Sequence, residues 1–309
     1  MDLSVDLQVA TTSSSNRKRK AADSINVGSS KKIHFTGPYG RQEWSLPDSI
    51  IYYMAMNPKS AEVYQKLVKS CKYFYIKNSI LVVKRLKYEK EKWKISCGKE
   101  TINMGNVTLK IWITDVFDVT AFSNVSQKTA SSIIPNIYKC DAKSVYLYDQ
   151  VISFQDFCFL ASNVYFVSFS NTTVKNEDLS ILEFEKLFLT FSKAHYVVFD
   201  CENSIIPMIT SKTFDELLKI RHFSTLKYLN LTNIPETFDL DAFYGYMKKN
   251  KLTTFSLHFC GAISEAYKNR IEEIIDEILS TKNHDYKPPF LDFPGLRFQK
   301  YLDQLSFSN

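Results

Sequence analysis

Apolar residues recur with helical spacing through residues 44–79. Pro47 and Asp48 open the first helix, because proline costs no hydrogen bond in the first turn. Asn57-Pro58 ends that helix, and Ser60 can cap a second one whose apolar positions recur every three or four residues. The pattern predicts a compact helical unit. It is too small to be stable alone, so we expect it to pack against the residues that follow.

A β-rich connecting segment follows at residues 80–139. Three short runs are rich in β-branched or aromatic residues and predict strands, while a polar stretch ending at Pro135 predicts a loop and a short helix. The runs are Ile80-Leu81-Val82-Val83, Trp93-Lys94-Ile95 and Leu109 to Val116.

From residue 140 to 282 the chain repeats a strand and a helix. Five runs share the pattern apolar-x-x-apolar-x-apolar, and their central residues stand 22, 30, 32 and 26 positions apart. These central residues are Val145, Val167, Val197, Leu229 and Phe255. Amphipathic helical stretches lie between and after the runs, at Phe154–Leu160, Phe184–Phe191, Phe214–Ile220, Leu240–Met247 and Tyr267–Leu279.

A strand plus a helix at a period of roughly 20 to 30 residues predicts a leucine-rich-repeat-like α/β solenoid, in which each unit buries its apolar edge against the next. A doubly wound α/β sheet shares the alternation and is the alternative. Two features favour the solenoid: the pattern recurs in register, and the strands alternate apolar and polar residues instead of being apolar throughout.

The two ends of the chain differ from the middle. Residues 1–36 are rich in serine and charge, which predicts a disordered basic arm. Its clusters Arg17-Lys18-Arg19-Lys20 and Lys31-Lys32 are separated by ten residues, which suits a bipartite nuclear-import signal; a solvated basic arm is the alternative. Residues 283–309 hold several prolines and apolar anchors, and we expect this tail to cap the open end of the repeats.

Composition excludes several function classes. Three of the 8 glycines lie in the first forty residues, and none of the others is paired at the spacing of a phosphate loop or a nucleophile elbow. Such loops need glycine because a Cβ would clash. The net charge is +6, but the arm holds six Lys/Arg against three Asp/Glu, so little is left for a nucleic-acid surface.

The sequence offers no catalytic set, metal site or cofactor site. His258 and Cys260 share one strand face and Cys201 could lie near, but a buried thiol beside a surface histidine is the simpler interpretation. The six cysteines form no C-x-x-C, which suits reduced thiols. With no apolar stretch of about 20 residues and no signal peptide, we expect a soluble protein of the cytoplasm or nucleus that binds no membrane.

The segment Leu46-Pro47-Asp48-Ser49-Ile50-Ile51, together with Ser70-Cys71-Lys72-Tyr73-Phe74, resembles the F-box motif. That motif opens with Leu-Pro and closes with an apolar-Cys-Lys-x-aromatic run; here Leu46 and Cys71 stand 25 positions apart. The wider arrangement resembles divergent nematode-type F-box-like proteins with a C-terminal leucine-rich-repeat-like domain. The resemblance covers residues 44 to about 83 and beyond them rests on the order of the domains.

The resemblance implies a fold and a function. The fold is of the α+β class, with a small N-terminal F-box-like helical unit followed by an α/β leucine-rich-repeat-like solenoid. The function is that of a non-catalytic substrate-recognition subunit of a Skp–cullin–RING ubiquitin ligase. A ligase-independent interaction scaffold that uses the same repeat surface is the alternative.

Two sets of residues would carry this function. The adaptor-binding residues are Leu46, Pro47, Ile50, Ile51, Met54, Leu67 and Phe74, unless they form only a small internal core. A target protein would bind the strand positions between the buried ones, where large aromatic residues recur among small hydroxyl residues. These are Tyr146, Tyr148, Phe166, Tyr196, Tyr228 and His258, unless the rings pack under helices.

Overall fold

The computed structural model describes residues 43–97, 100–107, 109–120, 125–200 and 209–306. The predicted disordered arm, with the nuclear-import clusters Arg17–Lys20 and Lys31–Lys32, lies outside the described residues. Within them, the chain forms ten α-helices and thirteen β-strands. No helix of this described part is both long enough and apolar enough to cross a membrane.

Three helices form the N-terminal unit: α1 (Asp48–Met56), α2 (Ala61–Ser70) and α3 (Lys72–Lys77). The predicted helix starts are confirmed. Pro47 stands at the N-cap of α1, and the Ser60 hydroxyl accepts a hydrogen bond from the Val63 amide, 3.2 Å away, at the start of α2. The extended backbone of Cys71 then separates α2 from α3, so the second predicted helix is two shorter ones.

The connecting segment contains β1 (Ile80–Glu89), β2 (Lys92–Cys97), β3 (Glu100–Asn103), β4 (Lys110–Val119), α4 (Thr129–Ile133) and β5 (Ile137–Cys140). All three runs predicted as strands lie in or overlap β1, β2 and β4. Strands β1 and β4 are parallel, whereas β2 is antiparallel to both β1 and β3.

The second half contains β6 (Ser144–Tyr148), β7 (Val151–Ser153), α5 (Phe154–Ala161), β8 (Phe166–Ser170), β9 (Thr173–Lys175), α6 (Phe184–Thr190), β10 (Tyr196–Asp200), α7 (Thr213–Lys219), β11 (Tyr228–Ile234), α8 (Leu240–Met247), β12 (Thr254–Phe259), α9 (Glu265–Ser280), β13 (Phe290–Asp292) and α10 (Phe298–Leu305). The five predicted strands and five predicted helices are confirmed. Their central residues pair in register, from Val145 through Val167, Val197 and Leu229 to Phe255.

These strands form one eleven-stranded, mostly parallel sheet in the order β13-β12-β11-β10-β8-β6-β4-β1-β2-β3, with β5 also paired to β4. The predicted fold class is therefore wrong: the chain is a mixed α/β fold, not an α+β protein with a separate leucine-rich-repeat-like solenoid. The reason lies in β4, which lies between β1 and β6: it pairs with β1 along one side, and its residues Val116–Val119 pair with β6 along the other. Hydrogen bonding therefore continues from the connecting segment into the repeating segment.

One face of this sheet carries the main core. In β6, β8 and β10 every second side chain is buried, and these side chains share one apolar cluster with residues of α5 to α9. The ring of Phe157 in α5 lies 5.5 Å from that of Phe169 in β8, measured between centroids. The half-buried residues between them point to the opposite face, which explains the alternation along each strand.

The helical unit covers one end of that opposite face. Ile111 and Ile113 of β4 belong to the main core, whereas Trp112 between them is buried in a second cluster with Tyr64 of α2. The Tyr64 hydroxyl donates a hydrogen bond to the Asn78 carbonyl oxygen, 2.7 Å away. It also accepts one from the Ile80 amide, 3.0 Å away, at the start of β1. The expectation that the unit packs against the following segment is thus confirmed.

The C-terminal tail supplies the edge strand β13, which pairs with β12. Beyond it, the side-chain amide of Gln304 in α10 accepts from the Leu291 amide at 2.9 Å and donates to the Leu291 carbonyl oxygen at 3.0 Å. Gln304 is 3% exposed. It makes the two hydrogen bonds that a further strand would otherwise make at this exposed edge.

Candidate protein-interaction surfaces

The predicted adaptor-binding residues divide between the surface and the interior of the helical unit. Leu46 and Ile50 each expose 45% of their area, and Pro47 beside them is also exposed. Ile51 and Phe74 are buried, and together with Ala55 they form the core of the unit. The remaining two members of the predicted set, Met54 and Leu67, are half-buried at the margin of that core.

A tyrosine extends the exposed part of this set. Tyr53 follows Ile50 by three positions, so the two lie on one side of α1, and Tyr53 exposes 66% of its area. We call Leu46, Pro47, Ile50 and Tyr53 the α1 apolar surface. The residues predicted from the sequence do not include Tyr53, although its i, i+3 spacing from Ile50 indicates a position on the same side of α1.

The inner side of α1 is held by aromatic packing. The ring of Trp44, just before the helix, lies 5.7 Å from the Phe74 ring and 5.9 Å from the Tyr73 ring in edge-to-face geometry. Ile51 and Ala55 pack in the same cluster. This packing fixes the rotation of α1, which leaves Leu46 and Ile50 directed to solvent.

The six predicted target-binding residues all lie half-buried on the sheet face opposite to α5–α9. We call this side of β6, β8, β10, β11 and β12 the open face. Within the part of the chain that the structure describes, the helices α5 to α9 pack on the other face, so these helices do not cover the rings. The open-face positions are Ser144, Tyr146, Tyr148, Phe166, Ser168, Ser170, Tyr196, Val198, Asp200, Tyr228, Asn230, Thr232, Thr254, Ser256 and His258.

The structure brings four of the six together. The Tyr146 and Phe166 ring centroids are 5.2 Å apart, and those of Phe166 and Tyr196 are 6.5 Å apart with nearly parallel rings. Tyr228 pairs in register with Tyr196 on the next strand. The result is an aromatic band across four strands, near their amino-terminal ends.

The other two residues are far from each other. Tyr148 on β6 and His258 on β12 belong to one row of registered residues, with three intervening strands between them. Strands are spaced by about 4.8 Å, which separates the two positions by about 19 Å. They mark opposite ends of the open face and do not form one pocket.

Carboxylates recur near the carboxyl ends of the same strands. Asp149 accepts a hydrogen bond from Asn171, 2.9 Å away, and Asp200 accepts from Ser170 at 3.1 Å and from Asn233 at 2.7 Å. Asp149, Asn171 and Asn233 each have a positive φ, at 51°, 46° and 60°, a conformation that Asp and Asn tolerate better than most residues. Asp118 of β4, which lies 3.5 Å from Lys87, and Asp292 of β13 extend this row on the neighbouring strands, and we call Asp118, Asp149, Asp200 and Asp292 the acidic edge.

At one end of the acidic edge, three side chains form a chain of hydrogen bonds. The Ser256 hydroxyl lies 3.1 Å from His258 Nε2, and His258 Nδ1 lies 3.3 Å from an oxygen of Asp292. The order matches nucleophile, base and acid in serine hydrolases. Ser256, however, is only 9% exposed in the middle of a strand, between Asn230 on β11 and Phe290 on β13. The contacts tie β13 to β12, and this is the role that we assign to them.

The contribution of Asp292 to this site was not predicted from the sequence, because it depends on β13. The tail was expected to be a cap, and nothing in its spacing places Asp292 opposite His258, as the pairing of β12 with β13 does. Among the described residues, no three His, Cys, Asp or Glu side chains are grouped so as to hold a metal ion. Cys201, which the sequence places near Cys260, lies outside the described residues.

No protein-family model matches the chain, and a search of curated proteins finds no significant match. Function has therefore to be inferred from the α1 apolar surface and the open face.

Proposed function

We propose that the chain is a non-catalytic, F-box-like substrate-recognition subunit of a Skp–cullin–RING ubiquitin ligase. The α1 apolar surface binds a Skp-type adaptor and, through it, the cullin–RING ligase. The open face holds the target protein. No chemical step is assigned to the chain itself.

One observation supports this function most strongly. Ile50 and Tyr53 point outward from α1, and Leu46 just before the helix is also exposed, whereas Ile51 and Ala55 of the same helix are packed in the core of the unit. A packed unit that leaves several large apolar side chains exposed at one end of a helix has the character of a protein-binding site. This surface coincides with the Leu-Pro start of the segment that resembles the F-box.

The way in which the helical unit is attached supports a receptor role. Tyr64, Ile80 and Trp112 bury the junction between the unit and the sheet, on the same side as the open face. The adaptor site and the target site are thereby held on one side of a continuous sheet. A ligase would use such an arrangement to raise the effective concentration of target lysines near the ubiquitin that it carries.

The compartment in this proposal is the cytoplasm, the nucleus or both. The clusters Arg17–Lys20 and Lys31–Lys32 favour nuclear import, and a Skp–cullin–RING ligase would meet targets in either place.

Co-purification with a Skp-type adaptor and a cullin tests the function. The full chain should retain both proteins, and the double variant Leu46→Asp/Ile50→Asp should lose both, because two carboxylates would be buried unpaired in the apolar interface. The matched control is Leu189→Asp/Leu218→Asp, since these leucines are also exposed but lie in α6 and α7. Retention of the adaptor by the first variant, or no adaptor with the unaltered chain, would disprove the function.

A ligase-independent interaction scaffold is the second candidate. It is favoured by the aromatic band of the open face, which requires no adaptor to bind a partner. The same variant discriminates the two, because a scaffold would keep every partner when Leu46 and Ile50 are changed. Deletion of residues 44–78 is a poorer test, because it would expose the buried Trp112.

A further inference from the structure

The amino-terminal edge of the open face carries a row of cations and aromatic rings. Lys143, Tyr165, His195 and Lys227 directly precede β6, β8, β10 and β11. Their backbones are hydrogen-bonded in sequence: the Tyr165 amide to Lys143, the His195 amide to Tyr165 and the Lys227 amide to His195, at 2.7 to 2.9 Å. We call Lys143, Tyr165, Lys193, His195 and Lys227 the basic rim; Lys193 lies two residues before His195.

The rings of the rim are stacked and exposed. Tyr165 and His195 lie 4.8 Å apart between centroids with an interplanar angle of 29°, and Tyr165 exposes 41% of its area. The Lys227 ammonium lies 6.0 Å from the centre of the Tyr165 ring. Tyr165 also contacts Tyr196 at 5.3 Å, so the rim is continuous with the aromatic band.

The lysines of the rim contact neutral groups. Lys193 donates to the side-chain oxygen of Asn163 at 2.7 Å, and Lys227 lies 3.5 Å from the Tyr165 hydroxyl. Two carboxylates lie near the rim: Asp141, which is 3.3 Å from Lys139 outside the rim, and Asp115, whose backbone carbonyl accepts from the Lys143 amide at 2.7 Å. Among the described residues, Lys143, Lys193 and Lys227 form no ion pair with a carboxylate, so the rim has a net positive charge.

The acidic edge lies at the other end of the same strands. The two ends of the open face therefore carry opposite charges: cations flank the aromatic band on one side and carboxylates flank it on the other. A ligand that carried negative charge along its whole length and extended along the strands would meet Asp149 and Asp200 as well as the rim. A ligand with anionic groups beside an apolar anchor would match both the rim and the band.

We propose that the basic rim and the aromatic band bind an acidic peptide segment of the target protein, in which Asp or Glu residues flank an aliphatic or aromatic anchor. This proposal rests on the proposed function, because it names the chemistry of the target that the open face would hold. The carboxylates lie on the rim and the anchor lies on Tyr146, Phe166 and Tyr196.

The dimensions and charges of the rim favour this ligand. From β6 to β11 the rim spans three strand spacings, about 14 Å, which an extended segment of about five residues can follow. The cations of the rim are lysines, and point charges of this kind suit single carboxylates, whereas arginine would favour bidentate phosphate binding. The acidic edge disfavours a nucleic acid, whose phosphates continue along the chain.

The test uses the full chain and peptides selected without bias. A random dodecapeptide library displayed on phage is panned against the protein, and the enriched peptides are resynthesised with fluorescein for anisotropy measurements. We expect Asp or Glu next to a Leu, Ile or Phe anchor, and a Kd that rises with salt. The rim variant Lys143→Glu/Lys193→Glu/Lys227→Glu should raise the Kd at least tenfold.

A matched variant controls for net charge. Lys128→Glu/Lys212→Glu/Lys249→Glu changes three exposed lysines outside the rim and should alter the Kd by less than twofold. Enriched peptides that are neutral or basic, or an equal loss in both variants, would overturn the proposal. So would tighter binding of fluorescein-labelled oligouridylate, or a tenfold gain when phosphoserine replaces Glu in the peptide.

The adaptor assay separates this inference from the proposed function. The rim variant should still co-purify with a Skp-type adaptor, because the rim and the α1 apolar surface share no residue. Peptide binding without adaptor binding would leave the rim assignment standing and reject the ligase role. Adaptor binding without acidic-peptide binding would support the ligase role and reject the rim assignment.

Discussion

Tyr64 of α2 and Trp112 of β4 lie with their ring centroids 6.4 Å apart, and both side chains are buried. Trp112 donates from Nε1 to Asp141 at 2.7 Å, and the Lys139 ammonium lies 5.0 Å from its ring centroid. Trp112 is thus held from the sheet side and Tyr64 from the helical side. This contact helps to join the helical unit, which carries the α1 apolar surface, to the sheet that carries the open face.

Replacing Tyr64 with Phe should weaken this junction. The ring stays, but the Ile80 amide loses its acceptor and the Asn78 carbonyl loses a donor. An unsatisfied buried group costs about 1–3 kcal/mol, and we expect a loss of that size in the free energy of unfolding from urea titration. Tyr53→Phe is the control, because Tyr53 is exposed, and should change stability little. Equal, small effects of both substitutions would contradict the role given to the Tyr64 hydroxyl.

Gln304→Ala should leave the backbone of Leu291, in the edge strand β13, without its side-chain hydrogen bonds. Both backbone groups of Leu291 would lose their partner, at a cost of about 1–3 kcal/mol for a buried group. Hydrogen exchange at the Leu291 amide should accelerate accordingly. In the control Gln299→Ala, the lost contact is only the exposed bond to Asp303, and exchange at Leu291 should be unchanged. An unaltered Leu291 exchange rate in Gln304→Ala would show that another group seals this edge.

His222 should make the fold sensitive to mild acid. Burial lowers the pKa of His222, and its Nε2 atom has no hydrogen-bond partner among the described residues. The pKa of His222 in the folded chain therefore lies below its unfolded value of about 6.5. The free energy of unfolding is highest above pH 6.5 and decreases as the pH falls below that value, because the unfolded chain then binds the proton more readily than the folded one.

The substitution His222→Phe keeps an aromatic ring beside Phe191, whose centroid lies 6.2 Å away. We expect the variant to lose less stability than the unaltered chain between pH 7.5 and pH 5.5, as measured by urea unfolding at each pH. Identical slopes for the two proteins would mean that His222 does not titrate with folding.

The Ser256–His258–Asp292 chain should be chemically inert. Ser256 is nearly buried within β12, and acyl transfer would need room for a substrate and a donor for the oxyanion. A fluorophosphonate probe should therefore leave the folded protein unlabelled under conditions that label a serine protease fully. Stoichiometric labelling that disappears in Ser256→Ala and in His258→Ala would instead establish an enzyme.

Short-range patterns were enough to predict much of the fold. The predicted bounds of α8 coincide with the observed Leu240–Met247, and the five predicted strands, with central residues such as Val145 and Val167, are all present. Both results follow from periodicities of 3.6 and 2 residues, which neighbouring side chains express directly.

Long-range pairing was not predictable in this way. The error in fold class comes from the pairing of Val116 with Ser144, since spacing within a segment does not show which strand it joins. The position of Asp292 opposite His258 was missed for the same reason.

The candidate adaptor site could likewise be predicted only in part, because the rotation of α1 about its axis depends on contacts with the rest of the unit. Adjacent residues differ by about 100° around the helix axis, so Ile50 and Ile51 could not both face one partner. Phe74 and Trp44 decide the rotation and bury Ile51, and their approach depends on the fold of the whole unit.

The affinity of the purified full chain for a Skp-type adaptor is the most direct measurement. By calorimetry, we predict a one-to-one complex whose Kd rises at least a hundredfold in Leu46→Asp/Ile50→Asp and less than twofold in Leu189→Asp/Leu218→Asp, with unchanged thermal unfolding in both. Absence of a complex with the unaltered chain, or equal affinity of all three proteins, would contradict the assignment of the α1 apolar surface.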